Sequence, residues 1–140
     1  IGAFVAKREV MQAFTQNPML GHITTFGGHP VCTAAALAML QVITTEDIVC
    51  KVSYKEQLFR ELLVHPLIRE VRSSGLLMAV ELTDKKLLMP LIDGAIRRGV
   101  LIDYFLFNDN SFRIAPPLII EKEGIHEGVQ ILISVLDSLI

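Results

Sequence analysis

"GHITTFGGHP", residues 21–30, continued by "VCTAAALAML", residues 31–40, is the stretch whose reading decides the fold. A histidine, two threonines and two glycines stand together in a chain that is 51% hydrophobic, and an alanine-rich run begins directly behind them. Pro30 suits the first turn of a helix, where the N–H it lacks would have no intrahelical partner anyway. Val31, Ala34, Ala35, Ala38 and Val42 then follow a helical spacing with few charges. A helix so apolar all round is predicted to lie buried between layers. The residues ahead of it admit two readings. Threonine hydroxyls beside glycines offer O–H and exposed backbone N–H donors, the equipment for holding a phosphate. Alternatively, Gly27 and Gly28 only let the backbone turn into the helix. On spacing alone the plain turn is favoured by roughly two to one, because short glycine motifs often match by chance.

Upstream, residues 1–6 read as a short strand and "KREVMQAF" as one or two helical turns. The polar loop "TQNPMLGHITTFGGHP" is of a length that usually carries function or disorder. Downstream, Thr44 or Thr45 is expected to cap a second helix, with Glu46 and Asp47 at the positive end of its dipole. Its apolar face is read as Ile48, Val52, Phe59, Leu62 and Leu63, and it ends before Pro66. "EVRSSGLLMAVEL" reads as a strand pair or bent strand with Gly75 at the bend. Residues 84–98 read as a third helix stopped by Gly99. "VLIDYFLF" and "SFRIAPPLII" read as two strands joined by the turn "NDN". The chain closes on an amphipathic helix marked by Ile125, Val129, Leu132, Ile133, Leu136 and Ile140. This order predicts an α+β domain whose helices cover one face of a small sheet.

The 140 residues suffice for one domain with a real core. Lys and Arg number 13 against 15 Asp and Glu, without runs of one sign, which argues against a nucleic-acid or polybasic membrane surface. The most apolar windows are too short and interrupted to span a bilayer. Cys32 and Cys50 have no metal or redox spacing, which fits a reducing cytoplasm. The apolar start, without methionine, is read as a sign that the chain is a fragment.

Few residues offer chemistry on their own. Arg113 stands between apolar neighbours in "SFRIAPPL", on a strand that Pro116 and Pro117 terminate. Its planar fork suits a carboxylate. Alternation equally allows it to face solvent from an edge strand with Phe112 and Ile114 inward, and taken alone that is the favoured reading. Histidines 22, 29, 65 and 126 show no ligand spacing, so no metal is expected, and His65 and His126 are expected at the surface. None of the lysines, Lys55 among them, reads as desolvated enough to be a nucleophile.

Three stretches in order resemble the C-terminal part of the class III aminotransferases, pyridoxal-phosphate enzymes of fold type I. "IGAFVAKREVMQAF" is similar to the strand and helix just after that family's catalytic lysine, and "GHITTFGGHPVCTAAALAML" to its "TFGGNP" loop and interdomain helix. "VRSSGLLMAVEL" with "GVLIDYF" and "SFRIAPPLII" resembles its small C-terminal domain. The joint pattern is far more specific than either half.

The resemblance implies an overall α/β fold: residues 1–29 as the end of the large cofactor domain, 30–45 as the interdomain helix, and 46–140 as an α+β small domain with a short, mainly antiparallel sheet. It reverses both odds above. Thr25, with Thr24 beside it, is implied to bind the phosphate of pyridoxal 5'-phosphate across a homodimer interface. Arg113 is implied to bind the substrate's α-carboxylate, as in the ornithine and acetylornithine branches. His29 departs from the family's asparagine, which puts the helix cap in question. The Schiff-base lysine is implied to lie before Ile1, so no catalytic residue is expected in this chain and the chain alone is expected to be inert. The implied reaction moves an amino group from an amino acid, ornithine-like or another ω-amino donor, to a 2-oxo acid in the cytoplasm. An aminomutase or racemase of the same fold, and a non-catalytic interaction module, stand as alternatives.

Overall fold

The computed structural model describes residues 2–19, 21 and 23–140. Ile1, at the head of the expected first strand, and Leu20 and His22, in the threonine-glycine loop, lie outside the described residues. The chain divides into two units, Ile1–Glu46 and Asp47–Ile140.

In the first unit, α1 (Arg8–Met11) runs on as a 3-10 turn over Gln12–Thr15, and α2 spans Pro30–Thr45. The α2 cap is secure although its residue is a histidine: His29 Nδ1 accepts the N–H of Val31 at 3.3 Å, and Pro30 opens the first turn. None of the residues of α2 is buried, and Val31 remains 71% exposed. The predicted burial between layers is therefore not met within this unit; so apolar a face requires cover that the unit does not supply. Residues 2–6 form no strand, since no other strand in the unit's described residues offers them a ladder. Thr44 and Thr45 do not cap the next helix either. They close α2, donating their hydroxyls to the carbonyls of Leu40 and Gln41, and a hydroxyl turned back in this way cannot cap forward. The chain leaves through Asp47, at φ +53°.

The second unit runs α3 (Val52–Leu62), β1 (Ile68–Ser74), β2 (Leu77–Leu82), α4 (Leu88–Arg97), β3 (Asp103–Phe105), β4 (Asn108–Ile114) and α5 (Lys122–Asp137). The strands form one antiparallel sheet in the order β1-β2-β4-β3. Gly75, at φ +60°, makes the β1–β2 turn in a region that only glycine enters without strain. Alternation along the central strands sorts the two faces. Met78, Val80, Leu82, Phe112 and Ile114 point to one side and are buried with Phe59, Leu91, Ala95, Ile125, Leu132 and Leu136 of the three helices. This is the helix-covered sheet that the sequence order predicts.

Three expectations need correction here. The β3–β4 turn lies at Leu106 and Phe107, and Asn108–Asn110 already belong to β4. His65 is buried, not superficial: its Nδ1 accepts the N–H of Leu67 at 3.1 Å, leaving Nε2 to donate to Asp137 at 3.2 Å. Lys55 is buried as well, its Nζ donating to the carbonyl of Leu118 at 2.8 Å. Both polar groups tie down segments that helical periodicity cannot see.

The sheet face away from the helices is charged. Arg72 Nη1 donates to Glu81 at 2.6 Å and to Glu70 at 2.5 Å, and Arg69 reaches Glu81 at 3.2 Å. The hydrogen bond from Arg72 holds the Glu81 carboxyl below the usual carboxylate range, against a smaller opposing desolvation. A lowered folded pKa stabilises the fold above the unfolded value, and that stabilisation is lost as pH falls through the folded value. Glu81→Gln is accordingly expected to cost stability at neutral pH, with the difference from wild type shrinking once pH drops below about 4.3; denaturant midpoints across an acid series measure it.

Candidate functional site

The first candidate site lies wholly in the first unit. The segment Thr25–Gly28 is a turn, closed by Gly27 N–H to the Thr24 carbonyl at 3.2 Å and by His29 N–H to the Phe26 carbonyl at 3.1 Å. Gly28 is at φ +71°, and a Cβ on Gly27 would collide with the Thr24 hydroxyl oxygen. Glycine at 27 is thus what lets that hydroxyl fold over the turn. The N–H groups of Thr25, Phe26 and Gly28 and both threonine hydroxyls have no partner among the described residues. They line a hollow of about 840 Å³, walled on its apolar side by Cys32, Ala36 and Met39. Unspent donors beside the N-terminus of α2 are suited to an anion with several oxygens. The residues present therefore fit a phosphate-bearing group.

The second candidate lies wholly in the second unit. Arg113 is on the inner strand β4, not on an edge strand, flanked by Ala79 of β2 and Asp103 of β3. Phe112 and Ile114 do face inward, which turns Arg113 to the charged face. Its guanidinium makes a fork to Asp103: Nε donates to Oδ1 at 2.8 Å and Nη2 donates to Oδ2. Its carbon also lies 5.9 Å from the centre of the Phe105 ring. The hydrogen bond and charge of Asp103 push the Arg113 pKa above its already high ordinary value, so the cation is permanent. The pair lines a hollow of about 310 Å³ with Leu77, Leu101, Ile102 and Ala115.

Asp103 is the residue that sequence reasoning missed. A loop at Asn108–Asn110 would pair Ser111 with Phe107, and hence Arg113 with Phe105. The register instead pairs Arg113 with Asp103 and Phe105 with Asn108, across an irregularity between Tyr104 and Phe105. Among the described residues no group of histidine, cysteine and acidic side chains is placed to hold a metal ion, and no single helix is long and apolar enough to cross a membrane.

The family model for class-III aminotransferases matches residues 1–136. Acetylornithine aminotransferase of Mycobacterium leprae (strain TN) is 40% identical over 147 residues, covering 100% of this chain and 34% of its own length. Among solved structures, a thermostable omega transaminase 6-fold mutant from Pseudomonas jessenii aligns with a TM-score of 0.78 at 28% identity, over 94% of this chain and 32% of its own. Acetylornithine aminotransferase from Elizabethkingia anophelis aligns with a TM-score of 0.75 at 30% identity, over 84% of this chain and 32% of its own. The chain thus spans about a third of the length of the relatives it matches.

Proposed function

This chain belongs to the class III aminotransferases, and from that membership we propose that it is the C-terminal part of an enzyme that moves an amino group from an amino acid to a 2-oxo acid. The family depends on pyridoxal phosphate. The observation that supports the proposal is the set of donors in the turn Thr25–Gly28 and in Thr24 that have no partner among the described residues. Thr25 donates its hydroxyl to the cofactor phosphate of the other subunit in a homodimer, and Thr24 and the free N–H groups of the turn shape the same anion pocket. Hydrogen bonds to an ionised acceptor are about twice as strong as neutral ones. Such a grip would hold the cofactor by its phosphate.

Arg113 holds the carboxylate of the amino acid. A planar fork with two parallel donors sets the orientation of the group as well as its position, so the amine meets the cofactor in a productive pose. When bound, the cofactor supplies the electron sink for the carbon that loses its proton.

In this reading residues 1–29 end the large domain, 30–45 form the interdomain helix and 46–140 form the small domain. The division of the chain at Glu46 and Asp47 supports that boundary. The open apolar face of α2 is consistent with burial by the rest of the dimer. Two free cysteines accord with a cytoplasmic enzyme. The test uses the full-length protein loaded with pyridoxal phosphate and given 2-oxoglutarate with ¹⁵N-labelled ornithine or N-acetylornithine. The expected result is label appearing in glutamate. Isomerised donor without labelled glutamate would point to an aminomutase or racemase instead, and an unchanged mixture would contradict both.

A further inference from the structure

We propose that Lys55 is a positioning residue for Arg113: by holding the Leu118 carbonyl it fixes the segment that leaves β4, and with it the direction in which the guanidinium is presented. The inference rests on the reading of Arg113 as the carboxylate clamp and goes beyond it to what aims the clamp. Lys55 is buried on α3, and its Nζ donates to the Leu118 carbonyl at 2.8 Å, 63 residues along the chain. Lysine is rarely buried this fully unless it is paired, and its partner here is a neutral oxygen rather than a carboxylate. An apolar side chain at this position would cost less to bury. The bond therefore contributes placement more than stability.

What it places follows from the end of β4. The ladder with β2 stops at Ile114, opposite Met78, and the ladder with β3 stops at Arg113, opposite Asp103. Arg113 is thus the last residue of β4 paired on both sides. Ala115 follows, and then Pro116 and Pro117, which have no N–H with which to continue a ladder. Their rings hold φ nearly fixed, so the direction of the strand end and the position of Leu118 are stiffly linked. Two hydrogen bonds secure this link from its far side. Ile120 N–H donates to the Pro117 carbonyl at 3.0 Å and closes a local turn, whereas Lys55 ties Leu118 to a different element, α3. The side chains of Leu118 and Ile120 also pack on the core, but apolar contact is non-directional. A hydrogen bond to the carbonyl sets the orientation of the peptide itself. Releasing it lets the strand end turn, and a fork that meets a carboxylate off its axis keeps one bond of two.

The test measures kcat and KM for 2-oxoglutarate on the full-length protein loaded with pyridoxal phosphate, at saturating ornithine or N-acetylornithine. In Lys55→Met, which keeps the length of the side chain without its donor, KM should rise about three- to tenfold, roughly what one hydrogen bond contributes. The kcat should hold, the pattern of binding lost equally from ground and transition states. Affinity for pyridoxal phosphate should not change, because its proposed site lies in the other unit. Arg113→Ala should raise KM about tenfold or more, and adding Lys55→Met to it should then have no effect. Lys55→Gln, one bond too short for Leu118, should show the same rise and replaces the methionine variant if that one does not fold. If the Lys55 variants leave KM unchanged, or raise it equally with and without Arg113, the positioning is refuted and the clamp stands. If Arg113→Ala leaves KM unchanged, the clamp itself is wrong and the positioning falls with it.

Discussion

Phe112→Ala is expected to destabilise the unit of residues 47–140 by about 3–5 kcal/mol. Phe112 is fully buried on β4, opposite Val80 on one side and Tyr104 on the other, in the layer that α4 and α5 cover. Truncating it removes the aromatic area from the core and leaves a cavity that the surrounding leucines, fixed on three helices, cannot fill. A domain of this size has only about 5–15 kcal/mol of stability to lose. The consequence is functional as well, because Arg113 is the next residue on that strand, and its pairing with Asp103 depends on the β3–β4 register. Chemical denaturation of the full-length variant, followed by the transition of this unit, measures the effect. A loss under about 1 kcal/mol would mean that the core at β4 relaxes far more than close packing allows.

Where the sequence carried a local physical signal, the fold was legible. Pro30 and the alanine-rich run marked α2, Gly75 the β1–β2 turn, Gly99 the end of α4, and the spacing from Ile125 to Leu136 the buried stripe of α5. Failures came where a tertiary partner outweighed local preference. Thr44 and Thr45 have the chemistry of a cap, but a helix already running over them offered their hydroxyls carbonyls one turn back. His65 and Lys55 look like surface residues by type; what local sequence does not show is that each finds a hydrogen-bond partner more than sixty residues away, Asp137 and the Leu118 carbonyl, which offsets its burial.

The candidate site was legible to the same extent. Thr24, Thr25 and Arg113 stood out by motif, and the turn at residues 25–28 has the open donors that a phosphate needs. The Arg113 partner did not stand out. "NDN" is strong turn chemistry, yet the turn fell on Leu106 and Phe107, two apolar residues that are 85% and 100% exposed. Asn108 uses its side chain to accept the N–H of Asn110 within the strand, so a turn-forming residue serves the irregular register. That irregularity aligns Asp103 with Arg113, and no alternation count could have predicted it.

The second large effect belongs to Thr25, and it bears on the central claim that this loop grips a cofactor phosphate. Valine has nearly the shape of threonine without its hydroxyl, so Thr25→Val removes one donor to a dianion and little else. A hydrogen bond to a charged group contributes about 1.5–3 kcal/mol, or roughly ten- to a hundredfold in affinity. The most direct measurement compares the full-length wild type, Thr25→Val and Thr25→Ser for binding of pyridoxal phosphate and of pyridoxal, which lacks the phosphate. The predicted result is a loss of about tenfold or more for pyridoxal phosphate in the valine variant, near-complete recovery with serine, and no change for pyridoxal in either. Equal affinities for pyridoxal phosphate in all three proteins, or the same loss for both ligands, would contradict the account.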